Sequence, residues 1–291
     1  MTDLPPEITD DPRFRRVHDE RARDAAKARA TQAIHFRLTR LLVIGSAIAA
    51  IAGGLVLYGA EASPDAESPL LVRWLADGSP LRIGLIVVQA LGLAAAAGSG
   101  YLLGRHEPGK RWVAARLRAE EGRLELAQRA LTIGHEAGPE PFRGAGHWFL
   151  GFIEEQLHHL DASARRRDRA SFYGLVFAAL LAALGALASA LTGFDSRTLV
   201  VVLAIFGVAV PALTAAVEKW GEATAAGKRA TLHEDSWSAL NALRDDAPAF
   251  KAAIESQDLG GAMRFADRVF DILRKDHEGF ATIQGKAKPV E

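Results

Sequence analysis

The sequence has no cysteine among its 291 residues. Disulfide bonds, thiol nucleophiles and cysteine-ligated zinc sites are therefore excluded. This absence is typical of a protein whose bulk faces a reducing cytoplasm.

The sequence also lacks the short motifs of common enzyme classes. It contains no phosphate-binding Walker loop, no dinucleotide-binding G-x-G-x-x-G after a strand, no H-E-x-x-H and no G-x-S-x-G. No segment has the alternating pattern of a strand, so the predicted fold is all-α. We predict a protein that is not an enzyme, with no catalytic residue and no cofactor.

Net charge is absent as well, since 35 Lys and Arg residues balance 35 Asp and Glu residues. The densest basic run, RRRDR, has no interleaved aromatic residues. Its composition favours anionic lipid headgroups as a partner and argues against nucleic acid. The basic residues of this run are Arg165, Arg166, Arg167 and Arg169.

Four long runs without any charge are present: Leu41–Tyr58, Ile83–Gly104, Phe172–Leu191 and Leu199–Val217. At about 1.5 Å per residue, helices of this length span roughly 27 to 33 Å, which matches a hydrocarbon core. The buried helices of a soluble bundle seldom run this long without a charge. A cleaved signal peptide does not fit the first run, because a long segment rich in Arg and Asp precedes it. The runs predict four transmembrane helices in two hairpins.

The basic residues predict the orientation of these spans. Of the 35 Lys and Arg residues, 32 lie in segments 1–40, 105–170 and 218–291. Under the positive-inside rule both termini and the middle segment are cytoplasmic. We therefore predict a multi-pass protein of the bacterial inner (plasma) membrane, with the lipid bilayer as a partner.

The chain follows one plan twice, which favours a tandem duplication over a coincidental likeness of two hairpins. The plan predicts a cytoplasmic N-terminal helix, a first two-span unit with a cytoplasmic helix after it, a Gly/Pro linker, a second such unit, and C-terminal cytoplasmic helices. In residue numbers these are 1–40, 41–134, 135–148, 149–246 and 247–291.

The charged helix after the second span contains the segment RWVAARLRAEE. Its composition predicts a helix that simply continues the second span into the cytoplasm. Arg116 and Glu120 are spaced for an ion pair. Two interpretations remain open: a solvated helix held by exposed ion pairs, or a packing face between the charged helices that extend from the spans. The stripe that would form this face consists of Trp112, Arg116, Ala119 and Arg123.

The spans contain few polar residues and many small ones. Gln89 is the one strongly polar side chain deep in a span, whereas proteins that move ions usually carry ionisable residues there. Rows of small residues predict close helix packing and a homo-oligomer. These rows include Ala49 and Gly53, Gly92 and Ala96, Gly100 and Gly104, and Ala178, Ala182 and Ala186. In the fourth span, Pro211 predicts a kink.

Two further patterns carry weaker signals. Glu154 with His158, and Glu155 with His159, have a spacing that could hold a divalent metal, but no further ligands are evident, so a solvated face is favoured. A C-terminal amphipathic stripe predicts a helix that packs within the fold. The stripe consists of Phe265, Val269, Ile272 and Leu273.

Together these features resemble the SLATT family, bacterial two-transmembrane domains associated with nucleotide second-messenger synthases and SLOG sensors. The resemblance rests on the paired spans and on Trp112, Arg116, Arg118, Ala119 and Glu120. The second half resembles another such unit and keeps a tryptophan, Trp220, but not the Ala-Glu pairing at the same distance. The resemblance implies a membrane effector of antiphage or stress defence. Such an effector would assemble and permeabilise the inner membrane after a signal from a nucleotide second messenger or a sensor protein.

Two other classes of function remain compatible with the residues. One is a non-catalytic membrane scaffold or adaptor that recruits partners through its cytoplasmic helices. The other is a small channel or transporter.

Overall fold

A computed structural model of the chain describes residues 4–61, 78–191 and 225–285. For residues 57–61, 166–191, 226, 227 and 285 it describes the backbone alone. The described chain is helical and contains no strand, which confirms the predicted all-α class. Two of its helices are long and apolar enough to cross a membrane, and they suggest membrane association.

The helices in chain order are α1 (Pro6–Thr9), α2 (Pro12–Glu61), α3 (Pro80–His106), α4 (Pro108–Ala137), α5 (Pro139–Leu191), α6 (Ala226–Ala242), α7 (Ala247–Glu255) and α8 (Leu259–Gly285). A short 3-10 turn, Leu243–Asp246, joins α6 to α7. The first five helices each begin at a proline. Proline suits this position because the N–H that it lacks would have no helical partner there.

The second span does not continue into the charged helix as the sequence predicts. Helix α3 ends at His106, the next residue Glu107 has a left-handed backbone with a φ of 42°, and α4 starts anew at Pro108. Proline cannot donate the helical hydrogen bond, and its ring disfavours the helical conformation in the residue before it. One proline therefore outweighs the strong helix propensity of its neighbours.

The turn between α4 and α5 is narrower than the predicted linker 135–148. Gly138 alone separates the two helices and adopts a φ of 123°, a conformation accessible mainly to glycine. The rest of the predicted linker is helical. Gly146 lies within α5, where an added Cβ would come 2.8 Å from Ile254. Glycine there permits close packing and does not break the helix.

Contacts divide the chain into two compact units. The helical domain comprises Met1–Ala33, Pro108–Arg169 and Ala225–Lys286. The hairpin unit comprises Ile34–Glu107, Ala170–Thr224 and Ala287–Glu291. The charged helix α4 thus belongs to the helical domain and not to the hairpin that precedes it in the chain.

The helical domain has an aromatic core. Phe149 on α5 lies at its centre, with ring centroids 5.4 Å from Phe250 on α7 and 5.8 Å from Phe270 on α8. All three side chains are buried. Burial of each contributes on the order of 1.5–3 kcal/mol, and the aromatic contacts add to this. The amphipathic stripe of α8 packs into this core, as the sequence predicts.

The described part of the hairpin unit pairs the second half of α2 with α3 through small residues. A Cβ added to Gly45 would lie 2.8 Å from the carbonyl oxygen of Gly92, and the converse distance is also 2.8 Å. Ala49 and Ala96 are buried beside them. Of the small-residue rows predicted on the first two spans, Ala49, Gly53, Gly92 and Ala96 therefore lie at the contact between these helices, whereas Gly104 does not.

The other two predicted spans are described in part or not at all. The third falls on the end of α5, whose backbone is helical as far as Leu191. The fourth lies outside the described residues, as do Pro211 and Trp220. The side chains of Ala178, Ala182 and Ala186 also lie outside them.

Candidate functional site

The stripe of α4 that begins at Trp112 is a packing face, and it is covered by α8. Trp112 is 2% exposed, and its ring meets Phe280 edge to face with centroids 5.8 Å apart. Ala115 and Ala119 are buried on the same side of α4. The small alanines let the two helices approach while the tryptophan fills the space at one end. This stripe is therefore a packing face and not a solvated one, although the helix that covers it is the C-terminal α8 and not a second helix that extends from the spans.

Arg116 lies over the same phenyl ring. The carbon at the centre of its guanidinium is 4.2 Å from the ring centroid of Phe280. This is the geometry of a cation–π contact, which contributes about 0.5–2 kcal/mol depending on solvent access. The guanidinium contacts a ring on α8, whereas the sequence spacing suggested a pair with Glu120 on its own helix.

Glu120 instead faces a histidine of α8. Its Oε2 lies 4.0 Å from Nε2 of His277, and both side chains are largely buried. Burial lowers the pKa of His277 below its ordinary value, although the carboxylates of Glu120 and Asp276 act against that effect. Arg116 and Arg123 lower it further. His277 is therefore neutral at pH 7, and protonation would place a cation in a poorly solvated position.

Asp276, the residue before His277, pairs with a histidine of α6. Nδ1 of His233 donates to Oδ1 of Asp276 at 2.9 Å, and the side chains are only 2% and 7% exposed. Nε2 of His233 is buried and has no hydrogen-bond partner among the described residues. Two consecutive residues of α8 thus face two helices: Asp276 contacts α6, and His277 contacts α4. The α4–α8 interface is defined here as Trp112, Arg116, Glu120, His277 and Phe280.

Arg123 extends the stripe of α4 toward α5. It pairs with Glu155 at 2.8 Å and lies 5.3 Å from the ring centroid of Phe152. With the amide of Gln156 oriented so that its oxygen faces the guanidinium, Gln156 accepts from both terminal nitrogens at 2.9 Å. Three partners fix this side chain, so α4 is held against α5 as well as α8.

The opposite side of α4 contacts the first half of α2. Nε of Arg118 lies 3.3 Å from Oδ1 of Asp24, and an added Cβ on Gly122 would meet Cβ of Arg21 at 3.2 Å. Burial lowers the pKa of Arg21, and the neighbouring Arg123 lowers it further. Arg118, which carries part of the sequence motif, therefore joins α4 to α2.

Of the four residues with metal-ligand spacing, the two glutamates pair with different arginines. Glu154 pairs with Arg244 at 2.8 Å, and Glu155 pairs with Arg123. Within residues 4–61, 78–191 and 225–285, no group of three or more His, Asp or Glu side chains is arranged to hold a metal ion. His158 and His159 are exposed on α5. The described geometry is that of a solvated face with ion pairs.

Two of the polar and small residues singled out in the spans contact the neighbouring helix. The amide of Gln89 lies across the backbone of Gly53, with Nε2 2.6 Å from the position of an added Cβ. Gln89 thus faces the partner helix. Gly100 approaches Leu42, whereas no described atom lies within 4 Å of a Cβ on Gly104.

The basic run before the third predicted span is described only at its first residue. Nε of Arg165 pairs with Asp161 one turn earlier at 2.7 Å. The side chains of Arg166, Arg167 and Arg169 lie outside the described residues. Their proposed role at lipid headgroups therefore stays a prediction.

The half of the interface that lies on α8 was not predicted from the sequence. The stripe recognised there stops at Leu273, but the same spacing continues through Asp276 to Phe280. The buried Asp276 interrupts the apolar pattern of α8, so the pattern was recognised only as far as Leu273. No local sequence pattern singled out His233, because its partner Asp276 is 43 residues away in the sequence.

These contacts make a closed and largely desolvated junction, with cations over aromatic rings and histidines beside carboxylates. His277 also lines an open groove between α4 and α8. No family model, curated protein or solved structure matches the chain.

Proposed function

We propose that this protein is an inner-membrane effector of antiphage or stress defence, which assembles into oligomers and permeabilises the bilayer after a cytoplasmic signal. Its spans cross the membrane four times with both termini in the cytoplasm, and the nucleotide second messenger or sensor protein that triggers it acts on the helical domain. No step in this function requires a catalytic residue or a cofactor. The SLATT-like arrangement of spans and charged helix motivates the proposal.

Membrane insertion is supported by the outward face of α3. Ile83, Val87 and Leu91 are 55%, 51% and 65% exposed. Only 11% of the residues in the most apolar stretch of this helix are buried. The core helix of a soluble protein would bury such side chains, because exposing them to water costs about 25 cal/mol per Å². Lipid removes that cost.

One observation carries the signalling part of the proposal. Trp112 is buried against α8 only four residues beyond Pro108, where the second span has just ended. A change in how α8 packs on α4 is therefore passed to α3 through the short connection at Glu107. In this mechanism the intact α4–α8 interface transmits the signal from the helical domain to the spans, and loss of its anchor uncouples them.

The test of this mechanism compares two tryptophans of the helical domain. Trp112→Ala removes the buried anchor, whereas Trp237→Ala removes a partly exposed ring on α6 and is the matched control. We expect Trp112→Ala to abolish the depolarisation that the wild-type protein causes on overexpression, and Trp237→Ala to preserve it. Membrane potential is read with a dye, and membrane abundance is measured in parallel.

Equal depolarisation by the wild type and both variants, at equal abundance, would contradict the signalling role. It would favour the scaffold, in which the helical domain recruits partners and the spans serve as an anchor.

The topology is tested with reporter fusions. A reporter active only in the cytoplasm should function at Met1 and at Glu291, and one active only outside should function between Ala62 and Asp65. Activity of the external reporter at either terminus would overturn the four-span arrangement.

A further inference from the structure

A groove runs along the surface of the helical domain between α4 and α8. Its volume is about 530 Å³. Leu124 and Phe270 are buried at its base, and Leu117 continues the apolar floor. The residues come from one stripe of each helix, so the groove is straight and has the form that receives another helix.

The rim of the groove carries three glutamates and one arginine, Arg274, so its formal charge is acidic on balance. Glu121 and Glu278 line it from opposite helices, are exposed, and form no ion pair with any described residue. Glu125 also lines it but pairs with Arg129 at 2.7 Å. An occupant that places cations beside Glu121 and Glu278 would be favoured electrostatically.

The exposed side of α2 has the complementary character. Arg23 and Lys27 are exposed and form no ion pair with a described residue, and the exposed Ala26 and Ala30 lie beside them. Arg23 contacts only the backbone carbonyl of Asp19 at 3.3 Å. Small residues between two cations give this helix a narrow face, which fits a groove with an apolar floor and an acidic rim.

The groove and the Arg23–Lys27 face lie at the same height along α2 in the helical domain. The pair between Arg118 and Asp24 and the contact between Gly122 and Arg21 place this part of α4 beside this part of α2. A rotation about an axis parallel to α2 therefore brings the basic face of one copy to the groove of the next without a shift along the axis. Copies inserted in one membrane in the same direction are related by such rotations.

We propose that the groove between α4 and α8 receives the exposed Arg23–Lys27 face of α2 from a second copy of this chain. The contact joins two different surfaces, so repetition of it forms a ring when the rotation between copies closes. This inference rests on the oligomeric assembly in the proposed function and assigns its interface.

The absence of native cysteine allows a direct test with two single-cysteine proteins. Full-length chains carrying Glu121→Cys with one affinity tag and Lys27→Cys with another are co-expressed, and membranes are oxidised mildly. We expect a disulfide-linked dimer that carries both tags. A matched pair, Glu121→Cys with Glu255→Cys, places the second thiol on an exposed residue of α7 and should cross-link about tenfold less. Equal yields for the two pairs would overturn the proposed contact.

Charge reversal gives a second measurement on residues that are exposed and therefore tolerant of substitution. Glu121→Lys with Glu278→Lys should reduce the oligomeric fraction in nanodiscs, and adding Arg23→Glu with Lys27→Glu should restore it. Loss without restoration would contradict the pairing of these surfaces. A wild-type particle of one chain by mass would refute oligomeric assembly itself, whereas an oligomer that ignores all four changes would refute only this interface.

Discussion

The two units of the molecule place large and small apolar residues in opposite positions. In the helical domain, phenylalanines such as Phe149 and Phe250 are buried and touch each other. In the hairpin, glycine and alanine lie between the helices, while Ile83, Val87 and Leu91 face outward. The chain therefore uses apolar residues in two ways within one sequence.

The opposite placement of large and small apolar residues indicates the solvent that suits each unit. Water drives large apolar side chains inward, so the helical domain gains stability from the area that it buries. In lipid no hydrophobic force brings helices together. Helices there associate through close backbone contact between small residues. A hairpin with bulky residues outside and glycine inside is consistent with lipid around it.

The largest expected effect comes from removing the centre of the aromatic core. Phe149→Ala should destabilise the helical domain by about 3–5 kcal/mol, because it removes a large buried ring and leaves a cavity. Leu91→Ala, on the outward face of α3, should cost far less. Thermal denaturation of the detergent-solubilised protein measures both. Similar losses would show that the two units do not differ in the way described.

A second substitution tests the contact between the small residues. Gly92→Leu would force a side chain where even a Cβ is 2.8 Å from a carbonyl oxygen, so the hairpin should open at a cost of about 1–3 kcal/mol or more. Gly84→Leu and Gly98→Leu are controls on the same helix, because no described atom lies within 4 Å of an added Cβ there. Unfolding in increasing SDS, followed by circular dichroism, should separate the first variant from the other two.

A third substitution examines the buried polar part of the helical domain. Asp276→Ala should cost about 1–3 kcal/mol, because it leaves Nδ1 of His233 buried without its acceptor. Asp271→Ala removes an exposed carboxylate whose ion pair with Arg274 is 3.8 Å long, and should cost less than about 1 kcal/mol. Equal stability of the two variants in chemical denaturation would show that the buried pair contributes nothing.

The smallest expected effect is a dependence on pH. Because burial lowers the pKa of His277 in the folded state, the unfolded state binds a proton more readily as the pH falls through the ordinary histidine value of 6.5. The stabilisation by neutral His277 is therefore full above pH 6.5 and is lost as the pH falls below it. His277→Gln should flatten the profile between about pH 7.5 and 5.5. A profile unchanged by His277→Gln would assign the dependence to other groups.

Much of this fold could be predicted from sequence patterns that act locally. Uncharged runs indicate apolar helices, and the spacing from Trp112 to Arg123 indicates one face of a helix. The spacing of Gly92 and Ala96 likewise indicates a close contact. These features depend on residues a few positions apart, so they appear in the sequence directly.

The partners of those faces could not be predicted in the same way. Phe280 and His277 are more than 150 positions from the residues of α4 that they contact, and neither belongs to a recognised motif. The break at Glu107 was missed for another reason: one proline was weighed against many helix-forming neighbours, although its missing N–H acts regardless of them.

Spin labels on the outward face of α3 test the central claim most directly, namely that this face lies in lipid. The cysteine-free chain accepts a single label at Leu91 through Leu91→Cys, and a second protein carries Lys275→Cys on the helical domain as the aqueous reference. In liposomes, we expect the label at Leu91 to collide readily with oxygen and hardly at all with a water-soluble nickel chelate, and the label at Lys275 to behave in the opposite way. Ready collision of the Leu91 label with the nickel chelate would place that face in water and contradict the account.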